Sequence, residues 1–443
     1  MCLGSAGEIG ASSHYLRAGG VGLLLDAGLH PKREGTAALP RFRSVDDEVD
    51  HILITHSHLD HVGALPRAVA AFPRARVHMT HATARFAFRM LRNAANVMRR
   101  RRERDPAAYP LYDFDTVSDL ESLVETHEEN EPVRLGRGPV VTFVSAGHIP
   151  GAAGLLIEEQ QPHRRFFFTG DTCGSAQLLV PGARYPGGPI DVLLTETTYG
   201  GNLVADGFRR EDVTKGFAAA LARVLGRGGV AMVPVFALGR AQELLFQLSI
   251  LRTKGRLPSV PIYLTGLARA LTRVYDETRR DTPRRDPELR LEQLDFEVLD
   301  DDALAAGGPE GPAIVLASSG MLLPQTISNK LARRVLPDAG AAIFIVGYQD
   351  PDSPGFRVQH GQPGEAIDLG DGAAPVERRC EVERFHFRAH SSRGELLAAA
   401  RQMRPHTTVV VHGDAASSDS LGTTIEGEGG RVLRPEPAVA YDL

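Results

Sequence analysis

The chain repeats one unit along its length: a short apolar, β-branched run that stops abruptly at a polar residue. Each run is typical of a buried strand bounded by glycine or a turn. The runs and the polar residues after them are 21–25 before Asp26, 51–55 before His56, 140–145 before His148, 166–169 before Asp171, 192–195 before Glu196 and 407–411 before His412. Because open α/β sheets bind ligands at the carboxyl ends of their strands, we expect these polar residues to share one site.

A second series of strands and helices occupies roughly residues 208–348. Strands are predicted at 229–236, 260–265, 313–318 and 341–348, with helices at 239–248 and 268–279. This alternation indicates a separate parallel α/β domain inserted into the first, and 443 residues suffice for two cores. We predict a first domain over residues 1–205 and 357–443 and an inserted domain over 206–356. The Pro- and Gly-rich stretch 350–372 is interpreted as the return crossing, and the polar segment 278–290 is expected to be exposed.

Composition excludes several classes of protein. The three cysteines are too few and scattered for a disulfide framework, so a reducing, cytoplasmic location is expected. No signal-type segment precedes the chain's first strand region, and no apolar run approaches the roughly 20 residues of a membrane span. The net charge of −5 argues against a protein that coats nucleic acid, but it allows a single cleft with local positive charge.

The segment His56-Ser57-His58-Leu59-Asp60-His61 carries the densest set of potential metal ligands. His56 and His58 are two residues apart in an extended segment, so both can face one ion. Asp60 and His61 lie where the chain turns into a helix predicted over 62–71, and they can face a second ion. Imidazole and carboxylate suit zinc, and two zinc ions side by side would deprotonate a water and neutralise charge on a phosphate.

This pattern resembles the metallo-β-lactamase fold, an αββα sandwich with a dinuclear site. The resemblance implies that His56, His58 and His148 bind one zinc ion, and that Asp60, His61 and His412 bind the other. Asp171 would bridge the two ions, and Asp26 would orient a ligand histidine from behind. Glycines 147, 170 and 413 flank these positions and are expected to let the backbone crowd the site.

Three further motifs resemble the β-CASP nucleases, the branch that contains ribonuclease J and the endonuclease subunit of the cleavage and polyadenylation factor. They are the acidic motif around Glu196 (195–200), the histidine motif at 387–390, and 411–413 with His412, where the DNA-acting branch carries valine. The stretches 234–243 and 317–321 of the inserted domain are similar as well. The resemblance implies hydrolysis of single-stranded RNA, with a hydroxide that bridges the metals as nucleophile and Asp60, Glu196 and His390 as catalytic residues.

In this scheme His390 donates a proton to the leaving 3′ oxygen, and Glu196 favours its protonated form. The helix start at Arg240 and the turn at Ser318 and Ser319 offer a guanidinium and N–H groups for RNA phosphate. An ordinary helix cap and an ordinary turn are the structural alternatives. The arginine-rich helix predicted over 82–104 is either a solvated basic face or a further phosphate contact.

The chain departs from the β-CASP pattern at two points. The family usually has an aspartate two residues after the motif histidine, where this chain has Ser392. We expect Ser392 to cap a helix that starts near Arg393, and activity to be lower or shifted in pH. The strand before the 4–10 loop is nearly absent, so we expect a start codon a few residues upstream. Without extra modules at either end, the resemblance is to compact, stand-alone β-CASP ribonucleases.

Three other functions remain open at this point: a small-molecule hydrolase of the same fold, such as a thiolesterase; a non-catalytic scaffold that binds RNA or a partner; and a DNA nuclease. The insertion of about 150 residues disfavours the first, because a small substrate needs no such cover. Retention of all the expected ligands disfavours the second, and His412 disfavours the third. The sequence also leaves open whether cutting is internal or from the 5′ end, and whether the chain forms a homodimer.

Overall fold

In a computed structural model of the chain, residues 1–105, 108, 110–202, 207 and 209–443 are described. The chain forms two compact units. Unit 1 comprises Met1–Asp206, Thr278–Pro287 and Ala389–Leu443, and unit 2 comprises Gly207–Glu277 and Glu288–Arg388. Unit 2 is therefore an insertion in the sequence of unit 1. Residues 278–287, predicted in the inserted domain, belong to unit 1, and residues 357–388, predicted in the first domain, belong to unit 2. The predicted domain limits remain a prediction.

The strands alternate with helices in both units. The strands of the first part of unit 1 are β1 (Cys2–Gly4), β2 (Ser13–Ala18), β3 (Val21–Leu25), β4 (His51–Leu53), β5 (Arg76–Thr80), β6 (Val124–His127), β7 (Pro132–Arg134), β8 (Val140–Ser145), β9 (Ala153–Gln160), β10 (His163–Phe168) and β11 (Val192–Glu196). Unit 2 contributes β12 (Val230–Pro234), β13 (Ile262–Thr265), β14 (Glu297–Leu299), β15 (Ala313–Ala317), β16 (Ala342–Ile345), β17 (Ala366–Ile367), β18 (Val376–Glu377) and β19 (Glu381–Arg384). The closing part of unit 1 adds β20 (Thr407–Val411) and β21 (Arg431–Leu433).

The helices follow the same division. In unit 1 they are α1 (Leu59–Val62), α2 (Leu65–Ala71), α3 (His81–Arg104) and α4 (Phe114–Glu121). Unit 2 carries α5 (Arg210–Gly226), α6 (Arg240–Thr253), α7 (Gly266–Glu277), α8 (Asp301–Ala305), α9 (Ile327–Val335) and α10 (Pro354–His360). The return to unit 1 forms α11 (Arg393–Met403) and α12 (Ala415–Gly427). Short 3-10 turns lie at Gly35–Ala38, Phe42–Ser44 and Leu291–Gln293.

Unit 1 contains two sheets packed face to face. One has the strand order β1-β2-β3-β4-β5-β6, and the other has the order β21-β20-β11-β10-β9-β8-β7. A shared apolar core joins them, in which Leu25 and Leu53 of the first sheet pack with Phe143 and Leu155 of the second. Because successive side chains of a strand point to opposite faces of the sheet, each sheet also has an outer apolar face, and helices must cover it.

Those outer faces are covered by helices. On the first sheet, Ile52 and Met79 pack with Phe88 and Leu91 of α3. On the second, Leu193 packs with Ala400 and Met403 of α11. The layers are thus helix, sheet, sheet, helix, and the predicted αββα sandwich is confirmed.

Unit 2 is a three-layer α/β unit around a sheet of order β14-β13-β15-β12-β16-β19. All strand pairs of this sheet are parallel, as short β-branched strands between helices predict, and β17 and β18 form a separate antiparallel pair. Phe217 of α5 and Leu244 of α6 cover one face, and Leu331 and Val335 of α9 cover the other. The predicted parallel α/β insertion is confirmed.

Three local predictions need correction. The helix predicted over 62–71 is two helices, α1 and α2, because Ala64 leaves the helical conformation and donates its N–H to the Ala27 carbonyl. The first strand, predicted to be nearly absent, is present as β1 and pairs with β2. The segment 278–290, predicted to be exposed, buries Thr282, which donates a hydrogen bond to the Glu129 carboxylate. Within the described part of the chain, no helix is long and apolar enough to cross a membrane.

Candidate metal centre

The polar residues that follow the strands of unit 1 converge at the carboxyl ends of the two sheets. The six runs predicted as strands correspond to β3, β4, β8, β10, β11 and β20. Glycine permits the close approach at these ends. At Gly147 the backbone has a φ of +69°, and an added Cβ would lie 2.5 Å from the Cys173 carbonyl oxygen. At Gly413 it would lie 2.1 Å from the Thr197 hydroxyl oxygen, so neither position has room for a side chain.

Three histidines form the first group of potential ligands. His56 Nε2 lies 3.2 Å from His58 Nδ1, and His148 Nε2 lies 3.1 Å from the same atom. His56 and His148 are buried, and His58 is half-buried. A zinc ion bound tetrahedrally at 2.0–2.1 Å separates two imidazole nitrogens by roughly 3.3 Å. The spacing of these nitrogens therefore fits one shared ion.

Hydrogen bonds fix which nitrogen of each ring carries the proton. His148 Nδ1 lies 2.7 Å from the Ala389 carbonyl oxygen, which can only accept, so Nδ1 donates. The Thr55 hydroxyl donates to Asp26, so at 3.1 Å from His56 Nδ1 it accepts the proton of that nitrogen. In both rings the Nε2 lone pair then points at the partner histidines. Burial, followed by the neighbouring imidazoles, holds the pKa of His56 and His148 well below the usual value, which favours this neutral, ligating form.

The second group contains His61, His412 and Asp60. His61 Nε2 lies 3.2 Å from His412 Nε2, and Asp60 Oδ2 lies 3.4 Å from the same His412 atom. Burial pushes the pKa of His61 down, but the carboxylates of Asp171 and Asp26 push it up further, so the net shift is upward. Two carboxylates thus attract positive charge to this point, whether as a proton or as a metal cation.

Asp171 lies between the two groups and turns one oxygen toward each. Its Oδ2 is 3.7 Å from His56 Nε2 and 3.8 Å from His148 Nε2. Its Oδ1 is 3.2 Å from both His61 Nε2 and His412 Nδ1. Burial would raise the pKa of Asp171, but His412 and His61 lower it well below the usual value, so the carboxylate is charged. This placement is the one that a bridging ligand requires.

The donor set fits a pair of divalent cations. Asp171 Oδ1 and His412 Nδ1 are both buried and have no hydrogen-bond partner among the described residues. A buried charged oxygen without a partner is costly, and a cation removes that cost. Convergent imidazole lone pairs repel one another unless a cation lies between them. The chemistry is that of zinc, which accepts nitrogen and carboxylate ligands in one site.

Asp26 lies behind the second group and holds His61 in place. Its Oδ2 accepts from His61 Nδ1 at 2.7 Å, and its Oδ1 accepts from the Thr55 backbone N–H at 2.8 Å. Asp26 and His412 adopt left-handed backbone conformations, with φ of 62° and 49°. Non-glycine residues are uncommon there and cluster at functional sites.

Replacing Asp26 with asparagine is expected to lower zinc affinity about 10–100-fold, because the amide no longer fixes the His61 tautomer with a charged acceptor. Competition with a colorimetric chelator measures this affinity. Asp50→Asn is the matched control, since Asp50 accepts from the Gly22 backbone N–H before β4, at the opposite end of that strand. Equal zinc affinity in the two variants would contradict the orienting role.

His390 and Glu196 form a pair beside Asp171. His390 Nδ1 lies 3.0 Å from Glu196 Oε2, and the other Glu196 oxygen accepts from the Thr172 backbone N–H at 2.6 Å. Burial lowers the pKa of His390, but Glu196 and Asp171 outweigh it and raise the pKa to about 9. His390 Nδ1 is 3.9 Å from Asp171 Oδ2, so the pair adjoins the ligand groups.

Ser392 caps α11, as predicted. Its hydroxyl accepts from the Glu395 backbone N–H, and the Glu395 carboxylate accepts from the Ser392 backbone N–H at 2.8 Å. This reciprocal capping box fixes the backbone two residues after His390. The adjacent Ser391 donates its N–H to the Thr172 carbonyl at 2.6 Å.

The predicted RNA-contacting residues belong to unit 2. Arg240 begins α6, the helix that follows β12, and Ser318 and Ser319 follow β15, the neighbouring strand of the same sheet. Arg240 is buried, and the Ser318 hydroxyl lies 2.9 Å from the Thr265 hydroxyl. Their role in binding phosphate stays a prediction.

The arginine-rich segment forms α3, as predicted. Several of its arginines have acidic partners: Arg92 with Glu121, Arg99 with Glu103 and Arg101 with Glu34. These pairs are consistent with the solvated-face interpretation.

Sequence reasoning missed three contributors to the site: the Ala389 carbonyl that orients His148, the Thr172 N–H that holds Glu196, and Thr55. The first two are backbone groups, so no residue type could have indicated them. Thr55 directly precedes His56, and its hydroxyl donates to Asp26 at 2.9 Å. The position of this hydroxyl next to a predicted ligand could have indicated its role in the site.

Comparison with known proteins gives three family matches along the chain. They are the metallo-beta-lactamase superfamily over residues 6–207, the Beta-Casp domain over 241–358 and the Zn-dependent metallo-hydrolase RNA specificity domain over 375–435. A solved protein of unknown function from Enterococcus faecalis superposes with a TM-score of 0.57 over 98% of this chain and 97% of that one. At 13% identity this likeness shows the fold alone.

Curated relatives match along nearly the whole chain. It is 31% identical to an Endoribonuclease YSH1 of Gibberella zeae, over 94% of this chain and 53% of that protein. It is 30% identical to a Cleavage and polyadenylation specificity factor subunit 3 of Dictyostelium discoideum, over 100% of this chain and 57% of that protein. The chain thus spans about half the length of the curated relatives it matches. With three matched domains in this order on this fold, the chain belongs to the β-CASP group of the metallo-β-lactamase superfamily.

Proposed function

We propose that the chain is a zinc-dependent ribonuclease that hydrolyses phosphodiester bonds of single-stranded RNA. The observation that carries the proposal is Asp171, which turns one carboxylate oxygen toward His56 and His148 and the other toward His61 and His412. A pair of zinc ions held there would supply an acidified water and neutralise the charge that builds on the phosphate. RNA phosphodiesters are very slow to hydrolyse and gain much from both effects.

The chain's own residues supply positioning and a proton. The fixed tautomers of His56, His148 and His61 keep their ligating nitrogens aimed at the centre before substrate arrives, which avoids reorganisation during the reaction. Cleavage adds water to the phosphorus and breaks the bond to the 3′ oxygen, which then needs a proton. We assign that proton to Nε2 of His390, since Nδ1 donates to Glu196.

The choice of RNA as substrate rests on two findings. The match over residues 375–435 is to an RNA specificity domain, and that stretch contains His390 and His412. The curated relatives are named as endoribonucleases, which favours internal cutting. The predicted phosphate contacts of Arg240, Ser318 and Ser319, a cytoplasmic location and a homodimer stay predictions.

Purified protein incubated with single-stranded RNA labelled separately at its 5′ and 3′ ends is expected to cut internally. Both labels should then appear in fragments longer than one nucleotide. A chelator should reduce the rate to background, and added zinc should restore it, because the ligand groups lose their cations. Release of single nucleotides from the 5′ end would instead indicate an exonuclease.

The same assay separates this proposal from its alternatives. Single-stranded DNA of the same sequence and a thioester substrate serve as controls. RNA decay that persists in the chelator would count against the metal centre. Thioester turnover without RNA cleavage would identify a small-molecule hydrolase.

A further inference from the structure

A second cluster of histidines lies in unit 1, and none of its members belongs to the central ligand groups. His51 is in β4, His78 is in β5, and Glu125 and His127 are in β6. These adjacent parallel strands bring the side chains to the sheet face that packs on the second sheet, where the His127 ring stacks on Phe143 with centroids 5.5 Å apart. His51 and His78 are buried, His127 is half-buried, and Glu125 is exposed.

The distances within this cluster repeat those of a metal site. His78 Nδ1 lies 3.0 Å from His127 Nε2 and 3.7 Å from Glu125 Oε2. The three potential ligand atoms all lie within 4.8 Å of one another. Two imidazole nitrogens about 3.3 Å apart and a carboxylate oxygen nearby are the spacing around tetrahedral zinc.

We propose that His78, Glu125 and His127 bind a transition-metal dication of the zinc class, separately from the central pair. Two imidazoles and one carboxylate form a three-ligand set, which leaves one position of a tetrahedron for water. The side chain of Glu125 is 49% exposed, so an ion reaches the set from solvent. The ion would tie β5 to β6 at the edge of the first sheet.

His51 completes the set from behind. Its Nδ1 lies 2.9 Å from His78 Nε2. With an ion bound, His51 Nδ1 would accept the Nε2–H of His78, and the His78 Nδ1 lone pair would point at His127 and Glu125. Ligand histidines usually have such a partner on their other nitrogen.

The charges around the cluster leave Glu125 able to bind. Its Oε1 lies 3.5 Å from Arg76 Nη1, while its Oε2 faces His78. The Arg76 contact is exposed and weak, so a dication competes with it readily. Glu128 lies 3.4 Å from His81, and its carboxylate is not among the ligand atoms that converge at His78. The alternative to a metal site is a metal-free row of hydrogen bonds that runs from His51 through His78 to His127.

Equilibrium dialysis of the full chain against zinc, with zinc per chain measured by mass spectrometry, tests the proposal. Glu125→Gln and His127→Phe are each expected to bind one zinc ion fewer than the wild type. Phenylalanine retains the stacking on Phe143 but offers no nitrogen. Glu128→Gln is the matched control and should bind as many ions as the wild type.

The test compares the number of zinc ions per chain between wild type and variant. This difference of one ion does not depend on how many ions the central ligand groups hold. RNA cleavage per centrally bound zinc should stay unchanged in both variants. Cobalt loading gives a second readout, in which the variants should lose part of the visible absorption of tetrahedral Co²⁺. Equal zinc counts in the wild type and in folded Glu125→Gln would overturn the proposal in favour of the metal-free row.

Discussion

Replacing His390 with alanine is expected to lower the kcat of RNA cleavage by about 10²–10⁴-fold, the usual contribution of a general acid. The 3′ oxygen leaves poorly without a proton. His390 is the titratable group beside Asp171, and Glu196 Oε2 holds it at 3.0 Å from His390 Nδ1. The KM for RNA and the zinc content are expected to change little, because His390 groups only with Asp171 and Glu196, and the two groups proposed to hold zinc are complete without it. Single-turnover cleavage at saturating RNA measures the chemical step directly.

Two controls make this result specific. His360→Ala removes an exposed histidine at the end of α10 and should leave cleavage unchanged. Glu196→Gln, which retains the shape of the pair but removes its charge, should give a smaller loss than His390→Ala. A His390→Ala enzyme that cleaves at the wild-type rate would refute the proton-donor assignment. A parallel loss of zinc would show that His390 is a ligand instead.

Replacing Asp171 with asparagine is expected to abolish measurable cleavage, with a loss of at least about 10³-fold. The proposed metal pair would contribute several kcal/mol of charge stabilisation to the reaction, and about 4 kcal/mol corresponds to a thousandfold change in rate. Asp171 now faces the ring nitrogens of His61 and His412 with one oxygen at 3.2 Å, and those of His56 and His148 with the other at 3.7–3.8 Å. Asparagine replaces one of these two oxygens with an NH₂ group, which cannot bind a metal ion. Bound zinc should therefore fall by at least one ion per chain relative to the wild type.

Zinc content, RNA cleavage and far-UV circular dichroism on the same samples distinguish metal loss from unfolding. Asp46→Asn, which neutralises an exposed carboxylate of unit 1, is the matched control and should behave like the wild type. A folded Asp171→Asn chain with full zinc content and full cleavage would remove the basis of the two-metal proposal. Retained zinc with lost cleavage would show that Asp171 acts on the substrate rather than on the metals.

Much of the central site could be predicted from the sequence because its residues follow short, strongly apolar strands. The run before His56 and the run before His412 lie far apart in the chain, yet both form strands whose carboxyl ends meet at the site. His56 and His58 lie in the short segment between the end of β4 at Leu53 and the start of α1 at Leu59, and Asp60 and His61 lie in α1. Local pattern and sheet topology together were enough.

The second histidine cluster shows what local pattern leaves out. His51, His78 and His127 have no shared motif, and each looks like an isolated polar residue in or beside a strand. The register of β4, β5 and β6 decides that they share one face, and a shift of one residue in any strand would send its histidine to the opposite face. Thr282 is similar, because only the fold pairs it with Glu129.

The sequence alone predicted the strands that lead into the site, the inserted parallel domain and the polar residues at the strand ends, because these depend on apolar periodicity and on residue type. The αββα sandwich was predicted from the resemblance of the motifs to the metallo-β-lactamase fold. Only the tertiary structure decided which ring nitrogens face one another and which oxygen of Asp171 faces which group. Hydrogen bonds to the Ala389 carbonyl and to Asp26 orient the rings of His148 and His61, and the Thr172 N–H holds Glu196 beside His390. Two of these partners are backbone atoms, which every residue type provides, so their positions depend on the packed fold rather than on the order of side chains.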